Sequence, residues 1–565
     1  MPVQSGSAAT PLWLSLSSNK ATYSVGAPVV LSADTPPGSG MTLQVRYFQL
    51  DRVLATKTLV AASSGTTSWI WNPPKVNYKG YLVEVSLRKA KSTAITETIG
   101  IDVSSDWSRF PRYGFLSDFS SQQIESQKNV IENLKRYRIN GLQFYDWQDR
   151  HDQPLKVVNG KPVEQWLDIA SRETYLSNVR NYIDLAHASG MAAMNYNLIM
   201  GAYDDYQTLG ISPTWGIYSD PLHQNQDGYP LPGYWESGLK LFDPANSSWQ
   251  NYIIDQESQV QKHLKFDGWH VDQLGERTAF NYLGKPVNLA SGYAALLEKA
   301  KTSYPGRLVM NAVDSYGQRE ILATNATKFA YAELWGSSEG YGDILWTIED
   351  NWAARKDRPN TVLAAYVNRG ISNSSGSFNT HSVLTTDAAI FASGGAHIEL
   401  GEHLLANEYF PNSNLSPSDK LMTTLMKFYD FSVGYENLLR DGVRPLELDV
   451  KIKGHQTSAG VAASNGTIWT IARRSADSKT KVIHLINLKS AKTSLWRDNF
   501  ANQPSTKKLF NLTITVPISS KVNKIWTASP DVDSGSPKSL KFTQSRGQVT
   551  VTLPSLLYWD MLVVQ

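Results

Sequence analysis

The sequence predicts a multidomain chain: a central (β/α)8 TIM barrel flanked by an N-terminal immunoglobulin-like β-sandwich and a C-terminal antiparallel β-sandwich. Three observations predict it. At 565 residues the chain exceeds one ordinary domain and can hold a large barrel with accessory units. Its middle alternates short apolar runs with longer helix-compatible stretches, eight times over, as βα units around a parallel sheet do. Its two ends consist of short alternating strands separated by turn residues. The boundaries on this reading are 1–107, 108–440 and 441–565.

In the first segment Ala27-Pro-Val-Val-Leu-Ser, Met41-Thr-Leu-Gln-Val-Arg-Tyr-Phe and Gly80-Tyr-Leu-Val-Glu-Val-Ser-Leu alternate in and out. Pro36-Pro-Gly-Ser-Gly and Ser63-Ser-Gly supply the turns. From Tyr113 onward the strand-like runs begin at Gly114, Gly141, Ala192, Gly268, Arg307, Phe329, Thr361 and Ala396. The largest insertion, Gly201 to Lys240, follows the third run; it carries Tyr203, Trp215, Tyr229, Tyr234 and Trp235 and reads as a wall of a cleft. A last barrel helix over Ser416 to Leu439 gives way to Gly466-Thr-Ile-Trp-Thr-Ile-Ala, Lys481-Val-Ile-His-Leu-Ile-Asn-Leu, Leu512-Thr-Ile-Thr-Val and Gln548-Val-Thr-Val-Thr-Leu, the second sandwich.

Composition narrows the chemistry. The 54 basic and 51 acidic residues leave a net charge of +3 with no long basic run, so nucleic acid and anionic membrane surfaces have no electrostatic hold and a neutral partner is expected. The absence of cysteine excludes thiol catalysis, disulfides and cysteine metal sites. Seventeen Trp and 27 Tyr suit stacking on sugar faces as well as core packing. No apolar run approaches the roughly 20 residues of a membrane span.

Barrel enzymes carry their chemistry at the C-terminal ends of the strands. The polar residues there are Asp118, Asp146, Asn197, Asp272, Asn311, Glu333, Tyr366 and, after the eighth strand, Glu399 and Glu402. Carboxylates crowding one mouth, without a histidine cluster, suit acid/base and nucleophilic carboxyl chemistry; glycoside cleavage leads, with no cofactor and no metal. Asp272 shares the inward face of the fourth strand with His270 two residues before it, and is the expected nucleophile. Glu333 is the expected acid/base, with Glu339 in the following Gly/Ser-rich loop as its rival. Asp146, between Tyr145 and Trp147, reads as a hydroxyl-binding carboxylate or as a partner of Arg150; Asp118 as a ligand or a cap for Ser120-Ser121; His270 as a hydroxyl partner or an inner-layer histidine. Tyr145, Trp147, Asn197, Tyr203, Trp235, Trp335, Tyr366, Glu399 and Glu402 complete the expected substrate-binding set. Asp149-Arg-His-Asp reads as polar rim.

The strings Arg112-Tyr-Gly-Phe-Leu-Ser-Asp-Phe, Gly141-Leu-Gln-Phe-Tyr-Asp-Trp-Gln, Phe266-Asp-Gly-Trp-His-Val-Asp-Gln-Leu-Gly, Tyr331-Ala-Glu-Leu-Trp and Glu399-Leu-Gly-Glu resemble glycoside hydrolase family 66, as does the closing Leu553-Pro-Ser-Leu-Leu-Tyr-Trp-Asp-Met. That family holds endo-dextranases and cyclising isomaltooligosaccharide glucanotransferases. The resemblance implies retention of configuration, an Asp nucleophile at Asp272, a Glu acid/base at Glu333, an α-1,6-glucan such as dextran as substrate, and an extracellular bacterial enzyme. The chain is expected to act as a monomer. The start, Met-Pro-Val-Gln-Ser-Gly-Ser, has neither the charged nor the apolar region of a signal peptide, so a signal is expected to have been removed. Asn368 to Gly395 is too short for the binding module that cyclising relatives often carry there, which favours water over the chain's own end as acceptor.

Overall fold

The computed structural model describes residues 12–89 and 94–565. Eight parallel strands form one sheet in chain order: β1 (Tyr113–Leu116), β2 (Gly141–Phe144), β3 (Ala192–Leu198), β4 (Gly268–Asp272), β5 (Arg307–Val313), β6 (Ala330–Glu333), β7 (Thr361–Ala364) and β8 (Gly395–His397). Each of the eight runs read from the sequence supplies one of them. Just beyond β8, Leu400 O accepts from the Phe115 N–H at 3.0 Å, drawing the last strand back to the first. The intervening helices are α1 (Ile124–Arg136), α2 (Leu176–Ala188), α3 (Ser247–His263), α4 (Leu289–Ser303), α5 (Gln318–Ala323), α6 (Tyr341–Ala354), α7 (Thr380–Ala392) and α8 (Asp419–Gly434). Asn246, Asn379 and Ser418 start α3, α7 and α8 with side-chain oxygens that accept from first-turn N–H groups.

Strand alternation sorts the side chains into two layers. Tyr113, Phe115, Met194, Val309, Tyr331, Val362, Ala364, Ala396 and Ile398 fill the inside of the barrel. Their neighbours in sequence face the helices. Trp107 closes the floor, stacked on Tyr113 with ring centres 5.9 Å apart and edge-on to Phe329 at 5.6 Å. A Cβ on Gly141 would lie 2.3 Å from the Trp107 ring, so β2 can start there only with glycine.

Before the barrel, a three-stranded sheet (Ser15–Ser18, Val29–Asp34, Thr66–Trp71) and a five-stranded sheet built on Met41–Gln49, Lys79–Lys89 and Ile95–Val103 enclose a core of their own. A buried ion pair and a hydrogen bond tie this unit to the barrel: Arg112 reaches Asp102 at 2.7 Å, and Asp430 of α8, itself paired with Arg138 at 2.8 Å, accepts from the Gly100 N–H at 2.8 Å. After the barrel come a seven-stranded and a four-stranded sheet around a further apolar core. The later sheets are not purely antiparallel, because Thr457–Ala459 pairs parallel to Ile468–Thr470.

One excursion of this last unit matters for the site. Trp496 and Arg497, in the loop between strands Lys481–Asn487 and Leu509–Pro517, reach the mouth of the barrel. Trp496 donates from its backbone to Glu339 O at 2.9 Å and from its ring to Ser338 O at 2.7 Å.

Candidate active site

A cleft of about 720 Å³ opens at the C-terminal ends of the strands. Glu333, buried, and Asp272, half-buried, both line it, and one side chain joins them. The Asn311 amide at the end of β5 donates to Asp272 Oδ1 at 2.9 Å and to Glu333 Oε2 at 3.0 Å. Those two contacts bound the Oδ1···Oε2 separation at about 5.9 Å.

The other contacts separate the two carboxyls in character. Asp272 Oδ1 also accepts from the Gln273 N–H at 2.8 Å, and Oδ2 accepts from Tyr196 O–H at 2.7 Å. Burial raises Asp272 above the ordinary carboxylate range, and these three donors pull it back. Glu333 Oε1 accepts from Tyr366 O–H at 2.7 Å. Burial first, and the neighbouring Asp272 second, push Glu333 up to about 7, against the bonds from Tyr366 and Asn311. The pair therefore holds one group poised to ionise and one poised to keep its proton near neutrality.

Around them, His270 stacks on Tyr113 at 5.6 Å and meets Tyr331 edge-on at 4.8 Å, with Nδ1 3.2 Å from Tyr113 O–H. Burial lowers it to about 3, so it faces the cleft as neutral imidazole and is also an inner-layer histidine. Asp146 has φ 47°, a left-handed turn at the end of β2 that brings it to the cleft together with Tyr145. Burial raises it to about 7, opposed by Arg172; Arg150, its alternative partner, is engaged by Asp152 and Asp205. Trp335 lines one wall between two guanidinium groups, Arg369 at 4.9 Å and Arg497 at 5.2 Å. Trp235 and Tyr229, both from the Gly201–Lys240 insertion, also line the cleft, while Trp215 packs beside Tyr252 and does not line it.

Glu339 is elsewhere. Its carboxylate pairs with Arg497 at 3.0 Å and does not line the cleft, which leaves Glu333 as the carboxyl facing Asp272.

Six residues expected to bind substrate stand outside the cleft lining, and strand parity explains two of them, Asn197 and Glu399. Asn197 follows inward-facing Tyr196 and so points to the helices, where it donates to Glu257 Oε1 at 2.6 Å. Trp147 is fully buried behind β2 and donates to Asn195 at 2.7 Å. Glu399 follows inward-facing Ile398 and accepts from Tyr429 of α8 at 2.9 Å. Glu402 is spent on the Ser117 and Asp118 N–H groups at 2.9 and 3.3 Å, holding the loop after β8 against the end of β1. Asp118 is exposed and accepts from the Ser120 N–H at 3.0 Å in the loop before α1, whose N-cap is Gln123, so it neither lines the cleft nor caps the helix. Tyr203 donates to Asp149 O at 3.1 Å beneath Arg150 and borders a separate surface groove. Of Asp149-Arg-His-Asp, expected as polar rim, His151 and Asp152 are instead buried, and His151 bonds Asn197 at 2.8 Å.

Tyr196, Gln143, Glu408, Tyr409 and Phe410, all of which line the cleft, carry no expectation from the sequence, and Asn311 has no role there. Tyr196 lies opposite His270 in the β3–β4 register, so alternation counted back from Asp272 would have found it. The segment Glu408–Phe410 gave no signal, being part of the loop after β8.

Comparison with known proteins agrees with this architecture. The family model for glycosyl hydrolase family 66 matches residues 18–563. The chain belongs to glycosyl hydrolase family 66. It is 28% identical to a cycloisomaltooligosaccharide glucanotransferase of Niallia circulans, over 97% of this chain and 71% of that protein. It is 23% identical to a dextranase of Streptococcus salivarius, over 91% of this chain and 71% of that protein. The crystal structure of a Paenibacillus sp. cycloisomaltooligosaccharide glucanotransferase with cycloisomaltoheptaose superposes with a TM-score of 0.89 at 26% identity, covering 97% of this chain and 99% of that one. The first of these alignments spans 701 positions against 565 residues here, so at least 136 (701 − 565) positions are filled in the cyclising relative and vacant in this chain.

Proposed function

We propose that this family 66 member cleaves internal α-1,6-glucosidic linkages of dextran with retention of configuration. The observation that carries the reading is the Asn311 amide shared by Asp272 and Glu333: it holds the bonded oxygens within about 5.9 Å, which is compatible with the about 5–5.5 Å of double displacement and below the roughly 6.5–9.5 Å needed to seat a water between the carboxyls. Asp272 Oδ2 has one donor against two on Oδ1, so Oδ2 has the freer lone pair. It attacks the anomeric carbon as the glycosidic C–O bond breaks, and Glu333 gives its proton to the leaving oxygen. Glu333, now ionised, takes a proton from the incoming hydroxyl, and the ester to Asp272 is released as a sugar of the starting configuration. Dextran is too large to enter a cell, so the enzyme is proposed to act outside it, as a single chain that carries both carboxyls.

Water is the proposed acceptor, and the 136 or more positions missing relative to the cyclising enzyme support it. A second reading, ring closure by the chain's own non-reducing end, is favoured by the higher identity to cyclising relatives. Digestion of dextran followed by chromatography separates the two. Linear isomaltooligosaccharides support hydrolysis; products that resist exo-glucosidase support cyclisation. No turnover by the wild type would sink both. Asp272→Ala and Glu333→Ala are expected to abolish cleavage, and azide should restore turnover to Asp272→Gly as a glucosyl azide.

A further inference from the structure

The guanidinium of Arg497 is buried at the barrel mouth although the residue belongs to the unit after the barrel. It donates to Leu334 O at 2.7 Å and, more weakly, to Tyr366 O at 3.5 Å. These are the carbonyls where β6 and β7 leave the sheet: Glu333 pairs with Ala364 at the end of the ladder, and Leu334 donates back to Ala364 O at 3.0 Å. The same loop holds β7's continuation, because Asn368 donates its backbone N–H to Arg497 O and its side-chain amide to Asp498 O, both at 2.8 Å. Arg497 also lies 5.2 Å from the Trp335 ring and 4.6 Å from the Trp496 ring, and its Nε is neutralised by Glu339 at 3.0 Å.

Every group that shapes the surroundings of Glu333 on this side thus meets one cation. Glu333 precedes Leu334; Tyr366, whose hydroxyl donates to Glu333 Oε1, shares its carbonyl with the same guanidinium; Trp335 is the next side chain on the wall. We propose that Arg497 is a positioning residue for the acid/base carboxyl, setting the spacing of the β6 and β7 ends so that the Tyr366 hydroxyl and the Glu333 carboxyl stay in register. The later β-sheet unit therefore completes the active site. This rests on the assignment of Glu333 as acid/base. Arg497 touches neither carboxyl, so it acts only through its neighbours, and a small misplacement of the acid costs rate in the step that needs the proton.

The test exploits leaving groups. Cleavage of dextran needs protonation of a sugar hydroxylate, whereas α-isomaltosyl fluoride departs with little help. Arg497→Lys, which keeps a cation beside Glu339 but loses the two-pronged fit to the carbonyls, should lower kcat/KM on dextran on the order of tenfold or more and leave kcat/KM on α-isomaltosyl fluoride within about twofold. Arg497→Gln, which keeps a donor to one carbonyl and loses the charge and the second prong, should show the same selectivity and serves should the lysine variant fail to fold. In both, the upper limb of the dextran pH profile should move to higher pH, because the bond from Tyr366 favours ionised Glu333. Equal losses on both substrates, or none on either, overturn the positioning role while leaving the hydrolase reading intact. A wild-type enzyme that leaves dextran and the fluoride alike untouched overturns that reading and this inference with it.

Discussion

Replacing Asn311 by Leu, which has similar volume and no donor, tests the arrangement of the two carboxyls most directly. The amide supplies one of three donors to Asp272 and one of two to Glu333. A hydrogen bond to a charged group is worth about 1.5–3 kcal/mol, and both bonds favour the ionised forms. Their loss raises both groups. The proposed mechanism needs Asp272 ionised and Glu333 protonated in the free enzyme, so the lower limb of kcat/KM against pH is expected to follow the former and the upper limb the latter. In the wild type the upper limb should fall near pH 7, the value to which burial and Asp272 push Glu333. At about 1.4 kcal/mol per tenfold change, loss of the Asn311 bond should carry that limb about one pH unit or more upward, with the lower limb moving the same way. The assay is reducing-sugar release from dextran at subsaturating concentration from pH 3 to 10. A fall in amplitude with both limbs fixed, or limbs moving apart, would falsify the view that one amide stabilises both charges.

Further consequences follow from the same contacts. Glu333→Gln should erase the upper limb and lower kcat/KM on dextran by about 10²–10⁴-fold while sparing α-isomaltosyl fluoride, measured by fluoride-electrode kinetics. Trp147→Ala empties a fully buried site behind β2, so urea denaturation should show a loss of about 3–5 kcal/mol, with KM for isomaltooligosaccharides unchanged because the ring does not line the cleft. Burial opposes a charge on His397, yet Glu399 and Asp387 raise it to about 10, and its two ring nitrogens lie 2.8 Å from Asp387 Oδ1 and 2.9 Å from Ala365 O. His397→Gln would leave two buried carboxylates facing each other and should cost about 3–5 kcal/mol by urea denaturation at pH 7. Turnover per folded molecule should survive; a selective loss of turnover at full stability would place this cluster in the reaction after all.

Much of the fold was legible because strand and helix periods are local. The eight apolar runs and the insertion after β3 stand out without any knowledge of what they pack against. Asp272 was legible for the same reason, as a polar residue closing an apolar strand two positions from another inward residue. Where the strand end was ambiguous by one residue, parity reversed the outcome. Asn197 and Glu399 terminate apolar runs as convincingly as Asp272 does, yet the neighbours that face inward are Tyr196 and Ile398. A one-residue shift in where a strand begins to turn moves a side chain from the cleft to the helix layer.

By itself, then, the sequence determined the strand count, the layering of apolar residues and the two carboxyls that could meet at the mouth, because these depend on spacing along the chain. Tertiary structure alone decided the rest. It chose Glu333 over Glu339 by engaging the latter with Arg497, about 160 residues away in the chain. It brought Asn311 between Asp272 and Glu333, and Tyr366 onto Glu333, through the register of neighbouring strands. It turned Glu402 and Asn197 into braces by giving their oxygens and amides internal partners. Which of several equivalent polar residues remains open to a ligand depends on which ones the fold has already satisfied, and those partners lie at sequence separations that no local pattern records.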